Sequence, residues 1–412
     1  MERPVLNLSD HLAIKRPVPT SQLQTVVGRT PKLNPLPSAS IYKRARSLPR
    51  LLALVCAVGV TACSSPERAR ERVDPDVARA RIVKLLPSGV SSPTLWAVDI
   101  YAAFEALDLP ASDENVCLAI AVTQQESTFT AQPSVPGLSK IARKEIDTRA
   151  ARFRIPNSVV DIALKVRSPN GKSYDERLRK VTTEKELSDI FEDFIGSVPL
   201  GRQLFSGWNP VRTGGPMQVG IAFAQEHADE HRYPYPMTTS IRDEVFTRRG
   251  GMYFGIAHLL DYPASYDDMI YRVADFNAGH YASRNAAFQR AVSRLSKTEL
   301  ALDGDLLLYG SKSSEPSRTE LAVRKLADRL DMDDAQIRSD LELEKQEEFE
   351  RTKLYKRVFA LADETGGKRA PRGVIPSIQL KSAKITRKLT TEWFAKRVDT
   401  RYKQCLARGA KS

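Results

Sequence analysis

Val116-Cys117-Leu118-Ala119-Ile120-Ala121-Val122 is followed at once by Thr123-Gln124-Gln125-Glu126-Ser127-Thr128-Phe129. Seven consecutive apolar residues leave a helix no face for water, so a helix here lies at the centre of a core. Ser112-Asp113-Glu114 supplies its start, with a capping hydroxyl and acidic residues in the first turn. The abrupt change from apolar residues to a carboxyl group puts Glu126 where the core meets a cleft. Apolar surroundings and the negative end of the helix dipole both disfavour a charged carboxylate there. An acid that keeps its proton near neutrality is what general-acid cleavage of a glycosidic bond requires. By itself, a Glu at a helix end is more often an ordinary solvated residue.

Working outward, the pattern stays helical. Asp76 to Leu86 forms one candidate helix, and Ser92-Pro93 opens another through Trp96, Ile100 and Phe104 to Leu107, with Ser92 as the expected N-cap and Pro at the first helical position. Residues 137–200 add amphipathic helices separated by Pro156 and by the turn Ser168-Pro169-Asn170-Gly171. Further helices are expected across 218–231, 240–260 and 281–296, and the tail from about 300 is charged and helical. Alternating strand patterns are few, so the fold class is mainly α.

The 412 residues carry a formal charge of +13, which raises the question of nucleic acid. Residues 1–62 hold nine Lys/Arg against Glu2 and Asp10, a net of +7; the remainder is only +6 and lacks long like-charge blocks. No nucleic-acid partner is therefore expected. The basic stretch Lys43-Arg44-Ala45-Arg46 to Arg50 precedes the ten-residue apolar run Leu51 to Val60, and Thr61-Ala62-Cys63 closes it. Ten apolar residues are too few to cross a bilayer, and the order of regions is that of a secretory signal. Residues 1–42, rich in Pro and Ser, precede it, where such signals usually stand at the start of a chain. With Cys56 inside the apolar run and Cys63 at its end, Cys117 and Cys405 remain in the body. In an oxidising compartment that pair suggests a disulfide, the alternative being two separate buried thiols.

Val60-Thr61-Ala62-Cys63 resembles the lipobox of bacterial lipoproteins. The resemblance implies an acylated Cys63 at the mature N-terminus and, with Ser64 following, anchorage in the outer membrane facing the periplasm. Residues 1–62 are then an N-terminal extension with the signal peptide, and 63–74 a polar tether. As a whole the chain resembles an uncharacterised bacterial lipoprotein family, which implies no mechanism.

Three more motifs follow Glu126-Ser127 in order. Gly214-Gly215-Pro216-Met217-Gln218-Val219 is a glycine turn, Phe254-Gly255-Ile256-Ala257-His258-Leu259-Leu260 a packed helix, and Asp275-Phe276-Asn277-Ala278-Gly279 a helix end. The four together resemble the soluble lytic transglycosylases of the lysozyme superfamily, whose pattern is Glu-Ser, Gly-Leu-Met-Gln, a helix with Gly before Tyr-Leu, and Ala-Tyr-Asn-Ala-Gly. That resemblance, covering roughly residues 92–296, implies a lysozyme-like domain over 75–299 with a large helical insertion at about 130–213, and a helical C-terminal extension over 300–412. It implies Glu126 as the catalytic acid, with Ser127, Met217, Gln218, Phe276 and Asn277 holding a peptidoglycan glycan strand. The reaction would cut the MurNAc–GlcNAc bond with a 1,6-anhydro product and needs neither cofactor nor metal. Pro216 replaces the family's Leu, Phe276 and His258 each replace a Tyr, and 86 residues separate Ser127 from Gly214. A hydrolase would need a second carboxylate, for which Asp261 and Asp275 are candidates. The rival expectation is a non-catalytic lipoprotein that binds or scaffolds peptidoglycan on the same fold.

Two local matches point elsewhere. His227-Ala228-Asp229-Glu230-His231 fits the inverted zinc-peptidase pattern; without a third ligand in sequence it reads as an ordinary amphipathic helix. Gly171-Lys172-Ser173 lacks the first glycine of a phosphate loop, since Val166 stands there, and reads as a turn.

Overall fold

A computed structural model describes residues 73–197, 209–237, 239–380 and 388–411. The signal region, Cys63 and most of the 63–74 tether lie outside the described residues. The helices are α1 (Pro75–Leu85), α2 (Pro93–Ala106), α3 (Asp113–Glu126), α4 (Leu138–Arg152), α5 (Asn157–Leu164), α6 (Tyr174–Lys180) and α7 (Glu184–Ser197), then α8 (Ile221–Glu230), α9 (Ile241–Val245), α10 (Arg248–Leu260), α11 (Met269–Ala278) and α12 (Ala282–Ser296). The last five are α13 (Arg318–Arg324), α14 (Ala327–Leu330), α15 (Asp334–Leu341), α16 (Lys353–Gly366) and α17 (Thr391–Gly409). The described residues also hold two short 3-10 helices, Gly310–Lys312 and Glu347–Arg351, and two short antiparallel ribbons: β1 (Thr213–Gly214) pairs Thr213 with Gly220 and Gly214 with Val219 of β2 (Val219–Gly220), and β3 (Gln379–Leu380) pairs with β4 (Leu389–Thr390). The fold is mainly α, and none of the described helices is long and apolar enough to cross a membrane.

The helix starts follow from local chemistry. Asp74 accepts hydrogen bonds from the amides of Asp76 and Val77 to cap α1, and the Ser112 hydroxyl accepts from the amide of Asn115 to cap α3. At α2 the cap differs from expectation: Ser92 is left-handed at φ 53° and its side chain makes no capping bond. Pro93, whose ring fixes φ near the helical value, starts that helix.

α3 is buried from Val116 through Thr123 and again at Gln125 and Glu126. The helix packed most extensively against it is α17, the last in the chain. Cys117 and Cys405 are joined by a disulfide between these two helices, with Cα atoms 5.5 Å apart. Around it, Arg81 of α1 bonds both the Asp113 carboxylate, at 2.5 Å, and the Gly409 carbonyl, at 2.8 Å; Arg408 bonds the Leu85 carbonyl in return. At Gly409 a Cβ would fall 2.9 Å from the side-chain ends of Asp113 and Leu85, so α17 comes close to α1 and α3 at this point.

The apolar interior forms two clusters. One runs from α1 through α11 and takes in Leu380, Leu389 and, from α17, Phe394, Val398 and Cys405. The second joins α12 to α13 through α16, around Phe288, Leu306, Ile337, Phe349 and Val358. Buried polar groups of α12 fasten this second cluster: Arg284, 1% exposed, donates to the carbonyls of Gln346 and Glu344 and lies 4.1 Å from the Tyr281 ring, while Asn285 donates to Gly304 and Glu344. Paired with backbone carbonyls, a guanidinium can be buried without a large penalty.

Because the disulfide spans 288 residues, it removes chain entropy from the unfolded state. The double substitution Cys117→Ala with Cys405→Ala is expected to lower unfolding free energy in urea by about 4 kcal/mol. An unchanged midpoint would show that α17 is held on α3 without the bridge.

Candidate functional site

Glu126 is the last residue of α3 and is 3% exposed. The chain beyond it leaves the helix sharply. Ser127, also buried, donates its hydroxyl to the Thr123 carbonyl at 3.1 Å and accepts from the Thr130 amide at 3.4 Å, closing the helix end. Thr128 and Phe129 then both take left-handed backbone, at φ 52° and 59°. For a β-branched and an aromatic residue this costs roughly 1–2 kcal/mol each, and two in succession need outside support. Phe129 supplies it by setting its ring edge against Trp96 of α2 at 5.2 Å. Trp96 is in turn covered by Arg248, 5.7 Å from its ring, whose Nε donates to Asp99 at 2.5 Å.

α10 is where the other motifs come together. Gly215 and Gln218 close the β1–β2 turn, with the Gln218 amide donating to the Gly215 carbonyl at 3.1 Å, and Gln218 is left-handed at φ 53°. This turn lies directly on α10. A Cβ at Gly251 would fall 2.3 Å from the Pro216 ring, and one at Gly255 would fall 2.4 Å from the Met217 sulfur. Between those glycines, Met252 offers its sulfur to the Thr123 hydroxyl of α3 at 3.6 Å. One turn on, His258 packs its ring against Phe276 of α11 at 5.1 Å. Gly251, Met252, Gly255 and His258 therefore receive, in order, the turn, α3, the turn again and the α11 corner.

Four side-chain amide atoms in these segments are buried without a hydrogen-bond partner among the described residues: both of Gln125, Oε1 of Gln218, whose Nε2 donates to the Gly215 carbonyl at 3.3 Å, and Oδ1 of Asn277. Gln125, Gln218 and Asn277 are 3%, 5% and 8% exposed. Native interiors leave few such atoms, and a recurring reason is a polar ligand that pairs them. Gln125 and the Trp96–Arg248 support were not among the residues singled out from sequence. Gln125 sits beside Glu126, but nothing local distinguishes it from Gln124, and Trp96 reads only as core.

The two candidate second carboxylates differ in setting. Asp275 is fully buried and accepts from the hydroxyls of Tyr266 and Tyr262, at 2.5 and 3.2 Å, and from the amides of Tyr281 and Ser283, at 3.0 and 2.7 Å. It fixes the corner that carries Phe276 and Asn277. Burial pushes its carboxyl up to about 6 against the pull of these donors. Asp261 lies 3.4 Å from His227 Nε2. His258 is held well below the usual imidazole range by burial and by the neighbouring His280, and is therefore neutral. His227 stacks on His231 at 4.5 Å, and no group of three His, Cys, Asp or Glu among the described residues could hold a metal ion. Gly171-Lys172-Ser173 is a turn whose Ser173 and Glu176 form a capping box for α6. A surface cavity of about 520 Å³ between α4 and α6, lined by Lys140, Arg143, Asp147 and Arg179 among others, includes none of the motif residues.

With the geometry in hand, comparison with known proteins adds kinship without chemistry. The family described as "Protein of unknown function (DUF1615)" matches residues 89–408. The chain is 54% identical over 359 residues to the Escherichia coli K12 protein named "Uncharacterized protein YaiW", covering 86% of this chain and 97% of that one. No solved structure matches.

Two outcomes test this geometry. Gly255→Ala forces a methyl group against Met217 and is expected to cost about 2 kcal/mol in a urea titration, well beyond the change in helix propensity. Asp275 has a higher pKa folded than unfolded, so the stability it contributes is fully present below about pH 4 and is lost as pH rises through about 6. Unfolding free energies at pH 4 and pH 7.5 should differ by less in Asp275→Asn than in the parent; an equal difference would place the titration elsewhere.

Proposed function

The chain belongs to the DUF1615 family, whose description assigns no activity, and from its site we propose that it is an envelope lipoprotein that cuts the glycan strand of peptidoglycan, with Glu126 as the acid on a lysozyme-like core. The observation that carries this is the meeting on the single helix α10 of Thr123, three residues before Glu126, of the Pro216–Met217 turn, and of Phe276, the neighbour of Asn277, in a chain where their separation in sequence gives no reason for them to meet. The left-handed residues Thr128, Phe129 and Gln218 add to it, because backbone strain held by surrounding packing is concentrated at functional sites.

In this mechanism the Glu126 carboxyl donates its proton to the oxygen between two sugars as the C1–O bond breaks. Positive charge develops on C1 and the ring oxygen. The Glu126 carboxylate then takes the proton of the same sugar's 6-hydroxyl while that oxygen bonds to C1, closing a 1,6-anhydro ring without water. One carboxyl group serves both steps, in keeping with Asp275 being engaged by four donors. The amides of Gln125, Gln218 and Asn277 would bond the sugars' acetamido and hydroxyl groups, and Phe276 would offer a ring face to a sugar. Acylation of Cys63 would tether the domain to the outer membrane on its periplasmic side.

A binding-only role is favoured by one observation: the positions where the transglycosylase pattern has Tyr carry Phe276 and a neutral, half-buried His258, so two hydroxyls of that pattern are missing. Digestion of purified sacculi by the full chain separates the two. Mass spectrometry should find anhydro-muropeptides with the parent, reduced about a thousandfold in Glu126→Gln. Reducing-end products would make the enzyme a hydrolase. Sedimentation with sacculi but no release by either protein would establish the binding module.

A further inference from the structure

Five of the twelve exposed large apolar side chains among the described residues fall within fourteen positions of the helical insertion: Phe153, Ile155, Val159, Ile162 and Val166. Singly scattered apolar residues need no explanation, but a concentration of this kind marks a surface that meets something. Its centre is α5, which buries Val160 and Leu164 against the core while Val159 and Ile162, 49% and 68% exposed, point outward. A helix apolar on both faces is out of place at a water surface.

The charges around it decide the partner. Arg152-Phe153-Arg154 stands at one end of the patch and Lys165-Val166-Arg167 at the other, and all four cations are exposed. None of the four has an ion pair among the described residues. The acidic residue between them, Asp161, is already bonded to Arg143 at 2.6 Å. An apolar helix face bracketed at both ends by exposed cations is complementary to a bilayer with anionic headgroups, where the side chains enter the acyl boundary and the cations meet phosphate.

We propose that α5 and its flanks, residues 152–167, form a membrane-docking surface that lies on an anionic lipid leaflet. The docking does not depend on the glycan chemistry or on acylation, so it is tested in the full chain carrying Cys63→Ser. Hydrogen–deuterium exchange is followed with vesicles of phosphatidylcholine, with and without phosphatidylglycerol. Exchange across 152–167 should slow about tenfold with the anionic vesicles and little with the neutral ones. The slowing should vanish in Val159→Asp with Ile162→Asp, and in Arg152→Glu with Arg167→Glu. All four positions are exposed, so these variants should keep the parent's circular dichroism and melting temperature. No slowing with anionic vesicles, or slowing confined to other segments, would overturn the proposal. Slowing at 152–167 produced without lipid by raising protein concentration would assign the patch to a second copy of the chain instead.

Discussion

The absence of side chains at Gly251 and Gly255 is the constraint on which the site depends. Two glycines one turn apart cut a channel into α10, and the Gly-Pro-Met turn lies in it with its proline ring and its sulfur closer to the helix than any Cβ would permit. Because the turn is seated there, Gln218 is held in left-handed backbone beside the helix that also receives Thr123 of α3 and, through His258, Phe276 of α11. Thr123 of α3, the Pro216–Met217 turn and Phe276 of α11 are thus all seated on one helix. Fixing polar groups through packing in this way is what lets a site act on a ligand without first reorganising.

Around that seam several buried polar groups fasten the surrounding elements. Asp275 gathers two tyrosine hydroxyls and two amides to set the corner after α11, and Arg284, three residues into α12, draws the distant carbonyls of Glu344 and Gln346 onto the same region. Glu344 has its own carboxyl pushed up to about 7 by burial while it accepts from the Leu306 amide. The second apolar cluster is thereby joined to the corner that carries Asn277. α17 returns from the chain's end to cover α3, fastened by the disulfide and by Arg81 and Arg408. The helix that bears Glu126 is thus packed by elements drawn from both ends of the sequence.

What the sequence discloses follows from how local each feature is. The all-round apolar run at 116–122 declares a central helix because its neighbours in sequence alone determine that it has no wet face. The turn at Ser168 to Gly171 and the cap at Ser112 are equally local. The seam on α10 is not: Gly251 and Gly255 look like poor helix formers until Pro216 and Met217 are placed against them. The unpaired amide of Gln125 is invisible for the same reason, since an unmet hydrogen bond is a property of the surroundings. Asp275 could be counted as a possible second acid from sequence, but its role depends on Tyr262, Tyr266 and Ser283, which only the fold assembles. The long tail reads as an extension, whereas the burial of Phe394, Val398 and Cys405 makes its last helix part of the first core.

The central claim is that the surface between α3, the β1–β2 turn and the α11 corner receives a glycan with its scissile oxygen at Glu126. A crystal structure of the Glu126→Gln chain soaked with a tetrasaccharide of alternating N-acetylglucosamine and N-acetylmuramic acid tests it most directly. The account predicts a glycosidic oxygen about 3 Å from the Gln side chain at 126, with acetamido groups paired to Gln125, Gln218 or Asn277. A glycan bound on another face, or sugars at this site with no linkage near position 126, would contradict it.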